Sequence, residues 1–254
     1  MKRILAALMF FTRLPFWRLV TVEKEYFRNV VNFWPYAGVV TGTVGAWVMV
    51  GASFILPPVV AVILGVAARV IVTGALHEDG PADFFDGFGG GTDRDAILRI
   101  MKDSHIGSYG VIGLVFYFAL LVATLSSMPI AISAALFFCG DIMCKFISGN
   151  IVNLLPYART EQESKNKLVY NRIPALLLLV NLVLVILLMW CFYGTYIPVA
   201  AVYAAAAPYA VFFLVIVYLK KKIRGYTGDC CGATFLLCEL SFYLTSLAII
   251  NSLM

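Results

Sequence analysis

Long apolar runs, separated alternately by bare turns and by charged loops, set the plan of this chain. Seven runs, at 36–55, 58–76, 109–126, 129–150, 174–193, 197–219 and 233–252, each predict a transmembrane helix, because about 20 apolar residues at 1.5 Å per residue cross a bilayer core. An earlier run, Ile4 to Phe11, is too short to span. It is flanked by basic residues and followed by no small-residue cleavage pattern, so it predicts an interfacial helix within residues 1–35.

The charges then give these helices a direction. Of 19 Lys and Arg, six precede the first span, three lie in 77–108, four in 151–173 and four in 220–232. The alternate connections, near Leu56-Pro57, Ser127-Met128 and Gly194-Thr195, hold none. The positive-inside bias predicts a cytoplasmic N-terminus, cytoplasmic charged loops and a C-terminus outside. The expected architecture is an all-α polytopic membrane protein, a single membrane-embedded domain over 1–254, with its polar residues gathered on one face.

Composition agrees. The 254 residues are 62% hydrophobic and 13% charged, and the mean hydropathy of +0.92 is far above that of soluble domains. The net charge of +5 follows the topology and forms no basic stripe with interleaved aromatics, so nucleic acid is not an expected partner. Six cysteines without a C-x-x-C pair or clustered histidines give no zinc site. Vicinal Cys230-Cys231 is read as packing beside a substrate loop.

Against this background one stretch stands out. Residues 77–91, His-Glu-Asp-Gly-Pro-Ala-Asp-Phe-Phe-Asp-Gly-Phe-Gly-Gly-Gly, begin the longest charged loop, 77–108, which holds seven of the 14 acidic residues. If a helix restarts at Gly80, with Asp79 as its cap and Pro81 in its first turn, Asp83 and Asp86 share a face with Asp79 one turn back. Crowded carboxylates raise one another's pKa, and a divalent cation removes that penalty. Ligation by carboxylates alone favours Mg²⁺, with Mn²⁺ as the substitute, and Mg²⁺ commonly shares its shell with substrate phosphates. Asp79, Asp83 and Asp86 are therefore the expected metal ligands and catalytic carboxylates.

Gly89, Gly90 and Gly91 predict a turn in which backbone N–H groups approach a phosphate, leading into a short helix capped by Thr92 and reaching Lys102, with Ile97, Leu98 and Met101 inward. His77 and His105 are the only histidines. Either suits a general base and either suits a hydrogen bond at the membrane edge, with His77 preferred for its place beside Glu78-Asp79. Asp103, Arg159, Thr227 and Asp229 lie in further polar loops on the same face. Arg69, Asp141 and Lys145 are read as the charges well inside spans, forming a structural ion-pair cluster, with an ion pathway as the competing reading.

Phe11-Thr12-Arg13-Leu14-Pro15, Thr73 through Gly80, Ala82-Asp83 through Asp86-Gly87, Ile100 through Ser104, Gly107 through Gly110, Pro156 through Arg159 and Gly225 through Asp229 follow one another along almost the whole chain. In this the chain resembles the cobalamin synthase family of adenosylcobinamide-GDP ribazoletransferases. Pro81 stands where that family usually has Leu, and Cys230-Cys231 where it has an aliphatic pair. The resemblance implies that adenosylcobinamide-GDP and α-ribazole, or its 5′-phosphate, give adenosylcobalamin, or its 5′-phosphate, and GMP. It implies a bacterial or archaeal cytoplasmic membrane, self-association, and association with other cobamide-assembly enzymes. On this reading Arg94, Lys102 and Arg159 meet phosphate oxygens, while a carboxylate or His77 takes the hydroxyl proton. Two alternatives remain: a CDP-alcohol phosphotransferase of phospholipid synthesis, whose fuller motif is unmet because Asp83 holds its Arg place, and an ion-coupled transporter.

Overall fold

The computed structural model describes every residue except 161, 163–167, 192–197 and 254. In chain order the helices are α1 (Lys2–Phe11), α2 (Trp34–Ser53), α3 (Pro58–Thr73), α4 (Leu76–Gly90), α5 (Arg94–Ile100), α6 (Ser108–Ser126), α7 (Ile130–Gly149), α8 (Ile151–Leu154), α9 (Ala175–Met189), α10 (Pro198–Lys222) and α11 (Gly228–Leu253). A 3₁₀ segment, Lys24–Phe33, leads into α2, and no strand occurs among the described residues. The all-α polytopic expectation holds. Among the described residues, five helices are long and apolar enough to cross a membrane, six if α3 and α4 count as one bent span. The run expected at 174–193 forms the shorter apolar helix Ala175–Cys191, and its last two residues, with the first residue of the 197–219 run, lie outside the described residues.

The helix expected to restart at Gly80 starts a turn earlier. The break after α3 falls at Gly74 and Ala75, both left-handed at φ 66° and 59°, and it turns the chain by 92° into α4. Asp79 thus lies inside α4, its N–H bonded to the Ala75 carbonyl, and Pro81 sits in the helix interior. The Phe11 to Pro15 motif latches this corner: the Arg13 N–H donates to the Val72 carbonyl at 2.7 Å, and the Arg13 side chain fills the space a Cβ on Gly74 would need. The N-terminal helix is correspondingly not only interfacial, since Ala6, Ala7 and Phe11 are buried and Phe11 stacks on Trp34 at 5.1 Å.

Small residues let helices meet backbone to backbone, as packing inside a membrane requires. Gly42 of α2 faces α7, where a Cβ would stand 3.2 Å from the Phe138 backbone. Gly80 of α4 crosses α11, where a Cβ would stand 2.8 Å from the Asp229 carbonyl and 2.9 Å from Gly232 Cα. Because that obstacle is backbone, Gly80→Ala is expected to cost about 1–3 kcal/mol in detergent unfolding. Gly51→Ala, where the added methyl meets nothing within 4 Å, should be neutral.

Beneath the α4–α11 crossing lies a buried ion network. Lys145 pairs with both Asp141 oxygens at 2.7 and 2.8 Å and donates to Thr41 at 2.7 Å. Arg69 pairs with Glu239, lies 3.5 Å from Asp141 and donates to the Tyr117 hydroxyl at 3.2 Å. Tyr117 and Tyr243 donate to Glu239 at 2.8 and 2.7 Å, and the Arg69 guanidinium stacks over Phe137 at 4.7 Å. The ion-pair cluster expected of Arg69, Asp141 and Lys145 is present. Its fourth member, Glu239, is missing from the sequence reading, although a lone carboxylate in the Leu236-Leu237-Cys238-Glu239-Leu240 run was a signal to follow. Glu78 stands 4.0 Å from Arg69, too far for a hydrogen bond, and both its oxygens lack hydrogen-bond partners.

Candidate active site

Three carboxylates converge where α4 meets the start of α11. One oxygen each of Asp79, Asp83 and Asp229 lies within 4.8 Å of the others. The i, i+4 spacing stacks Asp79 and Asp83 on one face of α4, and the Gly80 crossing brings Asp229, in the first turn of α11, against that face. Asp79 is exposed, Asp83 half-buried and Asp229 buried. A set of oxygens alone, partly open to solvent, fits a hard divalent cation such as Mg²⁺ or Mn²⁺ that completes its shell with water and phosphate.

Asp86, expected as a third ligand, does not join this cluster. Once the helix starts at Leu76, seven residues separate Asp79 from Asp86, a rise of about 10 Å. The Asp86 carboxylate is buried and accepts the backbone N–H groups of Gly107 at 2.6 Å and Gly110 at 2.8 Å, gripping the start of α6. Asp86→Asn replaces one acceptor oxygen by a donor facing an N–H. It is expected to lower stability by about 1.5–3 kcal/mol, the worth of a charged hydrogen bond, in thermal unfolding in detergent.

The expected glycine turn for phosphate is also different. Gly89 and Gly90 end α4 and Gly91 is its C-cap. Gly89 lies against the Tyr109 ring and Gly91 against Ile97, so these glycines serve close packing. The short helix that follows is capped by Asp93, which accepts from the N–H of Asp95 and Ala96 at 3.0 and 2.9 Å, and not by Thr92. Those backbone bonds hold the Asp93 carboxyl below the usual carboxylate range. Ile97, Leu98 and Met101 are buried as expected.

The basic residues gather nearby. Arg94 donates to the carbonyls of Ile223 at 3.1 Å and Ala158 at 2.6 Å, and Arg159 to that of Leu98 at 2.6 Å. These bonds tie α5 to the polar loops after α8 and α10, which also pair with each other: the Ala158 N–H meets the Tyr226 carbonyl at 2.8 Å and the Tyr226 N–H the Pro156 carbonyl at 3.0 Å. Lys102 is exposed beside them and, with Arg94, Arg99 and Arg159, lines a cleft of about 430 Å³. Thr227 is buried and donates to Asp229 at 3.3 Å. Asp103 is bonded within its own turn, to the N–H of His105 at 3.0 Å and its ring at 2.7 Å.

His77 is buried among Phe11, Trp34 and Phe235, with centroids 5.9, 5.5 and 5.2 Å away, and its Nε2 lacks a hydrogen-bond partner. It lines a cavity of about 130 Å³ together with Asp79 and Asp229. Phe10, Phe11, Trp34 and Tyr170 also line it, which sequence reasoning missed, because nothing in an N-terminal apolar helix marks it as a wall of a distant site.

The model of a family described as cobalamin-5-phosphate synthase matches residues 3–247. An adenosylcobinamide-GDP ribazoletransferase of Shewanella frigidimarina (strain NCIMB 400) is 34% identical over 96% of this chain and 93% of its own length. Proteins of the same name from Albidiferax ferrireducens and Polaromonas sp. are 31% and 32% identical over 96% of this chain and 96% and 95% of their own. No solved structure matches. With its motifs spread over the whole match and three of them meeting at one carboxylate cluster, the chain belongs to the cobalamin-5-phosphate synthase family.

Proposed function

We propose that Asp79, Asp83 and Asp229 form the metal-holding centre of an adenosylcobinamide-GDP ribazoletransferase whose site faces the cytoplasm. The observation that carries this is the meeting of three carboxylates from α4 and α11 beside a cleft lined by four cations. In the reaction a ribose hydroxyl of α-ribazole, or of its 5′-phosphate, attacks the cobinamide-side phosphorus of the pyrophosphate. The bond to the other phosphate breaks, and GMP leaves.

Mg²⁺, or Mn²⁺ in its place, would neutralise charge building on the transferring and leaving phosphates. Arg94, Lys102 and Arg159 offer N–H groups to phosphate oxygens from the adjoining cleft; Arg94 and Arg159 are already held in place by the carbonyls they bond. The hydroxyl proton goes to a group of the shared cavity, which holds His77, Asp79 and Asp229. Asp86 positions α6 against α4. The ends of α3, α8 and α10 that carry this site adjoin the Lys- and Arg-rich loops, which supports its cytoplasmic orientation.

The test is GMP release by purified protein in liposomes from adenosylcobinamide-GDP and α-ribazole 5′-phosphate. Turnover with Mg²⁺, its loss in EDTA and its return with Mg²⁺ or Mn²⁺ are expected. Equal turnover in EDTA would remove the metal from this reading.

A further inference from the structure

Two cavities of opposite character adjoin the carboxylate centre, and Arg159 lines both. The smaller, about 130 Å³, is lined by Phe11, Trp34 and Tyr170, by Asp79 and Asp229, and by Arg159 as its only arginine or lysine among the described residues. An apolar cavity of about 150 Å³ holds one benzene ring, so this slightly smaller one takes one ring of a flat base and leaves the rest of it outside. The larger, about 430 Å³, sets Arg94, Arg99, Lys102 and Arg159 against Asp95, the one acid among the described residues that line it. Its volume is that of a small-molecule site, roughly 300–1,000 Å³, and its charge suits a nucleotide phosphate.

We infer that the two substrates are sorted between these cavities: the uncharged base of α-ribazole enters the aromatic cavity, and the guanosine phosphate end of adenosylcobinamide-GDP occupies the cationic cleft. The inference rests on the transferase reading above and goes beyond it by giving each substrate a place. Aromatic side chains at the cavity wall offer apolar contact to a planar base, and such contact is tolerant of its exact substituents. The ribose then points toward Asp79 and Asp229, and the reacting phosphorus lies at the seam marked by Arg159. The N-terminal helix, through Phe11, becomes part of the nucleoside site.

The experiment is GMP release with each substrate varied in turn, using unphosphorylated α-ribazole, for wild type, Tyr170→Leu and Arg99→Ala in liposomes. Tyr170→Leu is expected to raise KM for α-ribazole about tenfold with KM for adenosylcobinamide-GDP unchanged, and Tyr170→Phe to restore it. Arg99→Ala is expected to raise KM for adenosylcobinamide-GDP and to weaken inhibition by GMP about tenfold, with KM for α-ribazole unchanged. The reverse pattern, or both constants rising together in either variant, overturns the sorting. Equilibrium dialysis with labelled α-ribazole and labelled GMP reads the same two sites without turnover. An inactive wild type that still binds both, each weakened only by its own variant, would sink the transferase reading and keep the sorting; α-ribazole binding that Tyr170→Leu leaves unchanged would sink the sorting itself.

Discussion

Asp229→Asn should lower metal-dependent GMP release at least about a hundredfold while the protein stays folded and inserted. Loss of a partner that merely orients a metal ligand typically costs 10–100-fold, and Asp229 offers its own oxygen to the cluster with Asp79 and Asp83. Asn keeps the shape and the contact with Thr227 but removes the charge, so the helix crossing survives. Asp83→Asn should behave alike. Asp86→Asn should not, because its carboxylate is engaged by Gly107 and Gly110. Steady-state turnover of the three variants, with detergent stability measured beside it, checks this. An Asp229→Asn enzyme with near-normal turnover would remove Asp229 from the centre.

Arg69→Met should cause the largest loss of stability, about 3–5 kcal/mol, the range for removing one partner of a buried ion pair. That is a large share of the 5–15 kcal/mol that holds a typical domain together. Arg69 is fully buried, and its removal leaves Glu239, Asp141 and Glu78 with Lys145 as the remaining cation of the network. Charge inside a membrane is tolerated only when paired. Removing the opposing charge as well, in Arg69→Met with Glu239→Gln, should recover part of the loss. Unfolding in mixed detergent for both single variants and the double variant measures the coupling. A single variant as stable as wild type would contradict the network's role.

Much of this was legible from residue order. Apolar runs and the one-sided charge pattern gave the polytopic plan, because membrane helices must satisfy their own backbone and so announce themselves by length. Asp79 and Asp83 were legible because their spacing is local. Asp229 was marked only as a turn carboxylate; what joins it to them is the Gly80–Gly232 contact between helices from distant parts of the chain, which no local period encodes. The glycine run misled for a related reason. Gly87 through Gly91 reads as a loop, yet Phe84 and Phe88, four residues apart with rings 4.5 Å from each other, show that the helix continues through it. The aromatic cavity depends wholly on tertiary contact, Phe11 with Trp34 and Phe10 with Tyr170.

The most direct test of the centre is Mn²⁺ binding, followed by electron paramagnetic resonance on purified protein in liposomes, for wild type, Asp229→Asn and Asp86→Asn. Bound Mn²⁺ in wild type and Asp86→Asn, with binding lost in Asp229→Asn, is the predicted result. Binding kept in Asp229→Asn and lost in Asp86→Asn would contradict the cluster and return the third ligand to α4.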